Sequence, residues 1–456
     1  MQKIKISEVA QATGGKILSG NPQDSFDCIG KDSRAVKQGM FYIAIKGENF
    51  DGNKYAESAM KNGAMGCLVS ENIVSEKPVV LVDDTIKALG QLAKYYRNKF
   101  DIPYVGITGS VGKTTTKDMI ACALSAKLNV MKTQGNCNNH IGLPLTLLSL
   151  DDCHEIGVTE MGMSGFGEIE YLASLVEPET AVYTNIGLSH IEKLGSRENI
   201  LKAKSEMLNH LKKDGTVVLC GDDDLLLSLV KDLKHKCITY GIENKNCDYT
   251  ADNIRQSGET EMEFTIHCSE GDFQGRIPVL GDHNVNNALA AFIVARKYGV
   301  EPNDILSALS MFQPGAMRQN IVKTNGITLI NDCYNSSPSS VQAGLKTLRQ
   351  ITGTRKIAIL GDMLEMGEMS EKLHKDVGGY AVDTKTDYLI AVGDMSRFII
   401  EGACEKGFDK NKTKFFKTNN EVNEFLDGFL EKGDAILVKA SRGMKLEEIV
   451  DHVIDF

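Results

Sequence analysis

The sequence lacks the features that mark nucleic-acid-binding, membrane-spanning and secreted proteins. Its 51 basic and 61 acidic residues leave a net charge of −10, without the basic excess typical of nucleic-acid-binding proteins. No apolar run approaches the roughly 18 residues that a membrane-spanning helix needs, and the N-terminal segment has no apolar core of signal-peptide length. We therefore expect a soluble cytoplasmic protein that binds no nucleic acid and has no membrane span.

Paired cysteine motifs, low-complexity tracts and obvious repeats are also missing. The 11 cysteines are scattered, and none of them forms a Cys-x-x-Cys motif. This pattern disfavours a disulfide framework or a zinc site and is typical of reduced cytosolic thiols. Domain boundaries therefore have to be inferred from the pattern of apolar residues.

That pattern divides the 456 residues into three α/β domains. Residues 1–84 contain short mixed segments and predict a small mixed N-terminal domain. In residues 85–313, strand candidates alternate with helical stretches and then with antiparallel-type strands, which predicts a central P-loop ATPase domain. A new strand–helix rhythm in residues 314–456 predicts a C-terminal Rossmann-like domain. Ligands are expected in the clefts between domains.

One glycine-rich segment predicts a nucleotide site. It follows the apolar strand candidate Tyr104–Thr108, precedes the helical stretch Lys117–Leu124, and reads Gly109, Ser110, Val111, Gly112, Lys113, Thr114, Thr115. In such loops, backbone N–H groups surround phosphates, the lysine reaches the outer phosphates and the hydroxyl holds Mg²⁺. The glycine spacing departs from the standard phosphate loop, and a glycine-rich turn before a surface lysine is the plainer interpretation.

Two further side chains are expected near this loop. Glu160 and His190 each follow a buried strand candidate, so they should lie at the same sheet edge as the phosphate loop. A carboxylate and an imidazole there could ligate a metal ion beside a triphosphate. A structural or surface histidine is the alternative for His190.

Two amide-rich segments are also candidates for ligand recognition. Asn136, Asn138, Asn139 and His140 fall between two helix-like segments, where they suit a neutral polar ligand or a capped loop. The segment His283–Asn287 is expected to open the helix Ala288–Ala295, with one asparagine as a possible N-cap.

In the last predicted domain, three polar loops follow strand candidates. They span residues 331–338, 361–367 and 439–445. Because they should meet at the carboxyl edge of one sheet, they predict a single crevice. Its carboxylates, tyrosine and arginine are suited to a zwitterion.

Taken together, these motifs resemble those of the Mur ligases, the ATP-dependent amide-forming enzymes of bacterial cell-wall synthesis. The resemblance runs essentially end to end and rests on TGSVGKTTTKD, GNCNNHIGLPL, EMGMSGFGEI, TNIGLSHIEKLGS, KAKSEML, GDHNVNNALAA, NDCYNSSP, GDMLEMGE and KASRGMKLEEIV. The short glycine loop is itself typical of the family. The last motifs are most similar to the member that joins D-alanyl-D-alanine to UDP-N-acetylmuramoyl-tripeptide through an acyl phosphate.

The resemblance implies ATP and Mg²⁺ as cofactors and assigns roles by position. It implies that Lys113 holds the outer phosphates and that Thr114, Glu160 and His190 bind Mg²⁺. Lys204 matches a lysine that is carbamylated in several sister ligases, with a solvated helix lysine as the alternative. The residues implied in ATP binding are Gly109, Ser110, Val111, Gly112, Lys113, Thr114, Thr115, Asn287, Arg318 and Asp332.

The same resemblance implies substrate contacts in the two outer domains. The implied uridine-nucleotide contacts are Ser33, Arg34, Lys46 and Asp51, and this chain carries Asn53 where the family commonly has histidine. The implied contacts of the C-terminal crevice are Tyr334, Asn335, Asp362, Glu365, Ser441 and Arg442.

Three alternatives remain open at this stage, and a monomer is expected in each. They are the sister ligase that adds the third residue, a folylpolyglutamate synthetase, and a non-catalytic nucleotide-sensing scaffold. The tripeptide could end in lysine or in diaminopimelate.

Overall fold

A computed structural model describes residues 1–47, 50–315 and 317–456. The N-terminal part contains a five-stranded sheet, a two-stranded ribbon and two helices. Its elements are β1 (Ile4–Lys5), α1 (Ile6–Thr13), β2 (Lys16–Ser19), β3 (Ser25–Phe26), β4 (Ile29–Gly30), β5 (Phe41–Ile43), α2 (Ala56–Lys61), β6 (Gly66–Val69) and β7 (Val79–Leu81). The sheet order is β2-β7-β6-β5-β4, and only β2 runs antiparallel to its neighbour.

A nine-stranded sheet forms the centre of the molecule. Its elements and flanking helices are α3 (Thr85–Arg97), β8 (Tyr104–Thr108), α4 (Lys113–Leu124), β9 (Val130–Lys132), α5 (Gly142–Leu147), β10 (Ile156–Glu160), α6 (Glu168–Val176), β11 (Thr180–Tyr183), α7 (Ile191–Leu194), α8 (Arg197–Ser205), β12 (Thr216–Cys220), α9 (Asp224–Leu229), β13 (Lys236–Gly241), β14 (Tyr249–Ser257), β15 (Glu261–Cys268), β16 (Gly271–Ile277), α10 (Asp282–Lys297) and α11 (Pro302–Ser310). The strand order is β16-β15-β14-β13-β12-β11-β8-β10-β9.

The central sheet confirms the predicted change of pattern. Strands β8 to β14 pair in parallel, and β14, β15 and β16 form the antiparallel extension that the alternation in residues 248–279 predicts. All five residues of β8 are buried, as expected for a central parallel strand covered on both faces. Because β8 lies between β10 and β11, the loops after these three strands meet at one edge.

The C-terminal part is a six-stranded sheet with helices. Its elements are β17 (Asn320–Thr324), β18 (Ile327–Asn331), α12 (Pro338–Gln350), β19 (Arg355–Gly361), α13 (Ser370–Asp383), β20 (Tyr388–Val392), α14 (Arg397–Glu405), β21 (Thr413–Phe416), α15 (Asn419–Leu426), β22 (Asp434–Lys439) and α16 (Glu447–Asp455). The order is β17-β18-β22-β19-β20-β21, parallel except for β17. The predicted α/β architecture is confirmed, whereas the exact domain boundaries stay a prediction.

Three local expectations are corrected. Helix α4 begins at Lys113 rather than Lys117, because Gly112 takes a left-handed conformation (φ 84°) that lets the helix start at once. The amide segment 136–140 follows strand β9, not a helix. The segment His283–Asn287 lies inside the first turns of α10, whose N-cap is Gly281, so no asparagine of this segment caps the helix.

The helices of the described residues include none that combines the length and apolar character needed to cross a membrane.

Candidate active site

A cleft of about 420 Å³ opens at the carboxyl edge of the central sheet and extends to the C-terminal sheet. Most of the side chains predicted for catalysis and ATP binding line it. They are Ser110, Val111, Gly112, Lys113, Thr114, Thr115, Glu160, His190, Asn287, Arg318 and Asp332. Asn138, Asn139 and His140 of the first amide segment join them, as do His283, Asn284 and Asn287 of the second. Both amide clusters therefore face the candidate nucleotide site.

The phosphate loop is held in shape by the residues that follow β11. Asn185 accepts a hydrogen bond from the N–H of Val111 at 3.0 Å and donates its amide to the Val111 carbonyl at 2.9 Å. Thr184 donates its hydroxyl to the same carbonyl at 2.7 Å. Asn185 was not among the predicted site residues, although its place directly after a buried strand could have indicated it.

Glycine is required at the first position of the loop. Gly109 has φ +154°, and a Cβ atom there would lie 1.9 Å from the Thr184 hydroxyl oxygen. A larger residue would therefore displace the contacts that shape the loop.

Lys113 folds back over the loop that carries it. Its Nζ donates to the carbonyl oxygens of Gly109 at 2.8 Å and Ser110 at 3.3 Å. Burial lowers the pKa of Lys113, Glu160 opposes that shift and Arg318 adds to it. An anionic phosphate bound in the cleft would give the Lys113 ammonium group a negatively charged partner.

Thr114 and Glu160 form the polar base of the cleft. The Thr114 hydroxyl donates to Glu160 Oε2 at 2.7 Å, and the Asn138 amide donates to Oε1 at 2.7 Å. A carboxylate and a hydroxyl are hard oxygen donors that fit Mg²⁺. Within the described ranges, no three His, Cys, Asp or Glu side chains cluster as a self-contained metal site.

His190 lines the cleft but contacts the C-terminal sheet rather than Glu160. Its Nδ1 lies 2.6 Å from Glu365 Oε2, on the loop that follows β19. This contact with His190 lowers the pKa of the Glu365 carboxyl. Burial has a smaller effect in the opposite direction. The sequence placed the two residues in different sites, and the structure brings them together.

Lys204 is buried, so its interpretation as a solvated helix lysine is wrong. Lys204 is only 1% exposed, and its Nζ donates a hydrogen bond to the carbonyl oxygen of Gly109 in the phosphate loop at 3.0 Å. Burial lowers the pKa of Lys204 well below its usual value, and the nearby Lys113 lowers it further. Burial therefore favours the neutral amine of Lys204 over its ammonium form.

Three of the residues implied in ATP binding each contact another side chain. Asn287 accepts from the Thr116 hydroxyl at 2.9 Å and thereby joins α10 to α4. The Arg318 guanidinium lies 3.9 Å from the centre of the Tyr334 ring. Asp332 accepts from Lys439 at 2.7 Å. Lys439 was missed because a lysine ending a strand resembles a surface residue, yet it is 2% exposed.

A second cavity of about 310 Å³ adjoins the first. The two share Ser189, His190, Tyr334, Asn335 and Ser336. The additional lining residues of the second cavity are Asn136, Leu364, Glu365, Met366, Ser441, Arg442 and Gly443. The three predicted C-terminal loops therefore do build one crevice, and it opens beside the phosphate loop.

Asp362 differs from its predicted partners in this crevice. Its carboxylate accepts from the N–H groups of Asp394 at 3.0 Å and Ser396 at 2.7 Å, and it lines neither cavity. Its contact with a substrate stays a prediction.

The predicted N-terminal residues lie apart from both cavities. Arg34 forms a two-pronged pair with Asp32 at 2.8 and 2.9 Å, and Lys46 contacts Glu71 at 2.9 Å. Ser33 is partly exposed next to them, and Asp51 accepts from the N–H of Asn53 at 3.0 Å. The two cavities are lined from residue 110 onward, among the described residues.

Asn53 serves the fold in this region. It donates to the Ser70 hydroxyl at 3.0 Å and accepts from the Ser70 N–H at 2.9 Å. It therefore ties the 51–55 turn to the end of β6.

Comparisons with known proteins agree with this geometry. Three family models match: Mur ligase family, catalytic domain, over residues 25–97; Mur ligase middle domain over residues 107–295; and Mur ligase, glutamate ligase domain, over residues 317–442. The chain belongs to the Mur ligase family. The match of the middle-domain model starts within β8, the strand that leads into the phosphate loop.

Individual Mur ligases resemble the chain over its full length. It is 41% identical to the UDP-N-acetylmuramoyl-tripeptide–D-alanyl-D-alanine ligase of Bacillus subtilis, over 100% of this chain and 99% of that protein. A crystal structure of MurF from Acinetobacter baumannii is 31% identical, with a TM-score of 0.92 over 100% of both chains. The MurF ligase of Thermotoga maritima in complex with ADP is 27% identical, with a TM-score of 0.83 over 94% of this chain and 97% of that one.

Proposed function

We propose that this Mur ligase joins D-alanyl-D-alanine to UDP-N-acetylmuramoyl-tripeptide at the expense of ATP, giving the pentapeptide precursor of peptidoglycan. The chain is an ATP-dependent amide-forming ligase. The observation that carries the proposal is the pair of adjoining cavities, one formed by the phosphate loop and the other by the three C-terminal loops. End-to-end similarity to ligases of this name supports the choice of substrates.

The reaction needs two steps in neighbouring spaces. A carboxylate oxygen of the tripeptide attacks the γ-phosphorus of ATP, ADP leaves, and an acyl phosphate forms. The amine of the dipeptide then attacks the acyl carbon, a proton leaves the nitrogen, and inorganic phosphate departs. Because water would hydrolyse the acyl phosphate, the amine has to reach it from the adjoining cavity with water excluded.

Lys113 is assigned to the outer phosphates of ATP. Its ammonium group is covered by the loop and has no carboxylate within salt-bridge distance among the described residues. It is therefore available to stabilise the negative charge that is transferred with the phosphoryl group. The loop Gly109–Thr115, with Asn287, Arg318 and Asp332, completes the proposed ATP site.

Thr114, Glu160 and His190 would hold Mg²⁺, which neutralises phosphate charge and orients the acyl carboxylate when it is bound. The oxygen atoms of Thr114 and Glu160 already lie 2.7 Å apart. Thr114 and Glu160 therefore hold two oxygen donors together in the cleft, which His190 also lines.

Lys204 is proposed to carry a carbamate. Its buried amine would attack the carbon of CO₂, form an N–C bond and lose a proton. A carbamate would convert a cation that is poorly accommodated beside Lys113 into an anion that attracts it.

The binding sites for the uridine diphosphate and for the dipeptide are assigned to the two outer domains. Ser33, Arg34, Lys46 and Asp51 are proposed to contact the uridine diphosphate. Tyr334, Asn335, Asp362, Glu365, Ser441 and Arg442 are proposed for the dipeptide crevice. We also propose the domain limits 1–84, 85–313 and 314–456, a monomeric state and a cytoplasmic location.

A coupled assay tests the function. ADP release should require both UDP-N-acetylmuramoyl-tripeptide and D-alanyl-D-alanine, with one pentapeptide product formed per ADP. Parallel assays with lysine-ended and diaminopimelate-ended tripeptide identify the preferred third residue. Equal turnover with a single amino acid, or with glutamate and a folate, would identify a sister ligase. Nucleotide binding without any turnover would identify a sensing scaffold.

A further inference from the structure

The His190–Glu365 contact joins two separate sheets. His190 follows β11 of the central sheet, and Glu365 follows β19 of the C-terminal sheet, yet Nδ1 and Oε2 are 2.6 Å apart. His190 lines the nucleotide cleft, and both residues line the adjoining cavity. The contact therefore lies at the boundary between the two proposed substrate spaces.

The backbone on both sides is shaped to make this contact. His190 and Glu365 both adopt left-handed conformations, with φ of 64° and 62°. This region is uncommon for residues other than glycine and persists only where the surroundings enforce it. The N–H of Glu192 donates to the Glu365 carbonyl at 3.4 Å. A Cβ atom on Gly367 would lie 3.1 to 3.2 Å from Glu192, so glycine permits this approach.

The loop that carries Glu365 is held firmly by its own domain. The N–H of Met363 donates to His374 Nε2 at 3.0 Å, and the N–H of Leu364 donates to the Ser441 hydroxyl at 2.9 Å. The backbone beside the exposed Glu365 side chain is thus held in place near His190.

The contact with Glu365 affects how the imidazole ring of His190 is held. A carboxylate 2.6 Å from Nδ1 restricts the rotation of the imidazole ring and thereby sets the direction of Nε2. Histidines that ligate metals commonly have such a carboxylate or carbonyl partner, and its loss weakens the metal site. His190 shares its cleft with Thr114 and Glu160, whose oxygen atoms fit Mg²⁺.

We propose that Glu365 is a positioning residue that fixes the orientation of His190 for metal binding, so that the site is complete only when the C-terminal domain is docked. The proposal rests on the metal role of His190 in the proposed function. It revises the role proposed above for Glu365, which lines the dipeptide crevice but acts on the histidine and does not contact the dipeptide.

The test measures metal binding apart from turnover. Mn²⁺ is titrated into the full-length protein with a non-hydrolysable ATP analogue, and free Mn²⁺ is measured by electron paramagnetic resonance. The variant His190→Ala defines the site that depends on the histidine. We expect Glu365→Gln to weaken Mn²⁺ binding at that site about tenfold or more. Glu368→Gln is the matched control, because Glu368 is exposed in the same loop and lines neither cavity.

Two further measurements separate positioning from substrate contact. Steady-state kinetics should show Glu365→Gln lowering kcat and raising the Mg²⁺ requirement, with the KM for the dipeptide changed less than about twofold. Nitrogen NMR of ¹⁵N-histidine-labelled protein should show a shift of the His190 ring signals, assigned with His190→Gln, in Glu365→Gln and no shift in Glu368→Gln.

Each outcome has a distinct meaning. Normal Mn²⁺ binding in Glu365→Gln, with weak binding in His190→Ala, would overturn the positioning role and leave the metal role of His190 intact. Normal Mn²⁺ binding in both variants would overturn both roles, while the ligase assay decides the reaction separately. A raised dipeptide KM with unchanged Mn²⁺ binding would return Glu365 to the substrate site.

Discussion

Replacing Lys204 with methionine removes a buried ammonium group and keeps most of the side-chain volume. Because the residue is 1% exposed, the native protein keeps this group away from water, which is unfavourable for the charged form. The substitution also removes the hydrogen bond to the Gly109 carbonyl, but Lys113 still donates to that carbonyl at 2.8 Å. No backbone group is left without a partner by this change.

These changes in burial and hydrogen bonding predict little loss of stability, whereas activity should fall strongly. Loss of one hydrogen bond costs about 0.5–1.5 kcal/mol, and relief from burying an amine offsets it. The free energy of unfolding should therefore stay within about 1 kcal/mol of the wild-type value, or rise. Loss of a group that stabilises charge in the reaction typically costs about 10²-fold in kcat, or about 2.7 kcal/mol. A residue kept for function at a cost in stability shows this combination.

The assay compares unfolding by circular dichroism with pentapeptide formation at saturating substrates. Lys202→Met is the control, because Lys202 lies two residues earlier on the same helix and is exposed. Lys204→Ala with added formate or acetate should regain part of the activity if a carbamate is the functional group. Wild-type kcat in Lys204→Met, together with a clear loss of stability, would refute the catalytic role and make this lysine structural.

Three other substitutions test separate parts of the molecule. Lys113→Ala should reduce turnover about 10²-fold or more with an unchanged unfolding transition, because its charge acts on the triphosphate; near-normal turnover would contradict the phosphate-loop assignment. Asn53→Ala removes side-chain hydrogen bonds to Asp51 and Ser70 worth about 2 kcal/mol in total, so hydrogen exchange in residues 51–70 should accelerate about 30-fold; unchanged exchange would show that the turn is held by other contacts. Burial lowers the pKa of His374 below its ordinary value of 6.5, so the unfolded state binds the proton more readily and the free energy of unfolding should fall as pH drops below about 6.5. His374→Gln should flatten that dependence in urea titrations at several pH values, and an unchanged slope would assign it to other groups.

The pattern of apolar residues along the chain was sufficient to predict the bounds of an element where apolar residues form a continuous run. Strand β8 has the predicted bounds, since it is a run of residues buried in a parallel sheet. The start of α4 was placed four residues too late, because its first turn is polar and its beginning depends on the conformation of Gly112. The amide segment 283–287 was misplaced for a related reason, since asparagines favour caps and turns but here lie inside a buried helix.

The sequence alone determined the nucleotide loop, the general alternation of strands and helices, and the family resemblance, because these depend on residues that are close together along the chain. The burial of Lys204 under Gly109, 95 residues away, depended on how α8 packs beneath the loop. The pairing of Lys439 with Asp332, 107 residues apart, depended on β22 lying beside β18. The meeting of His190 with Glu365 depended on two sheets docking edge to edge. Such contacts are set by packing between distant segments, and side-chain charge alone does not select the partner.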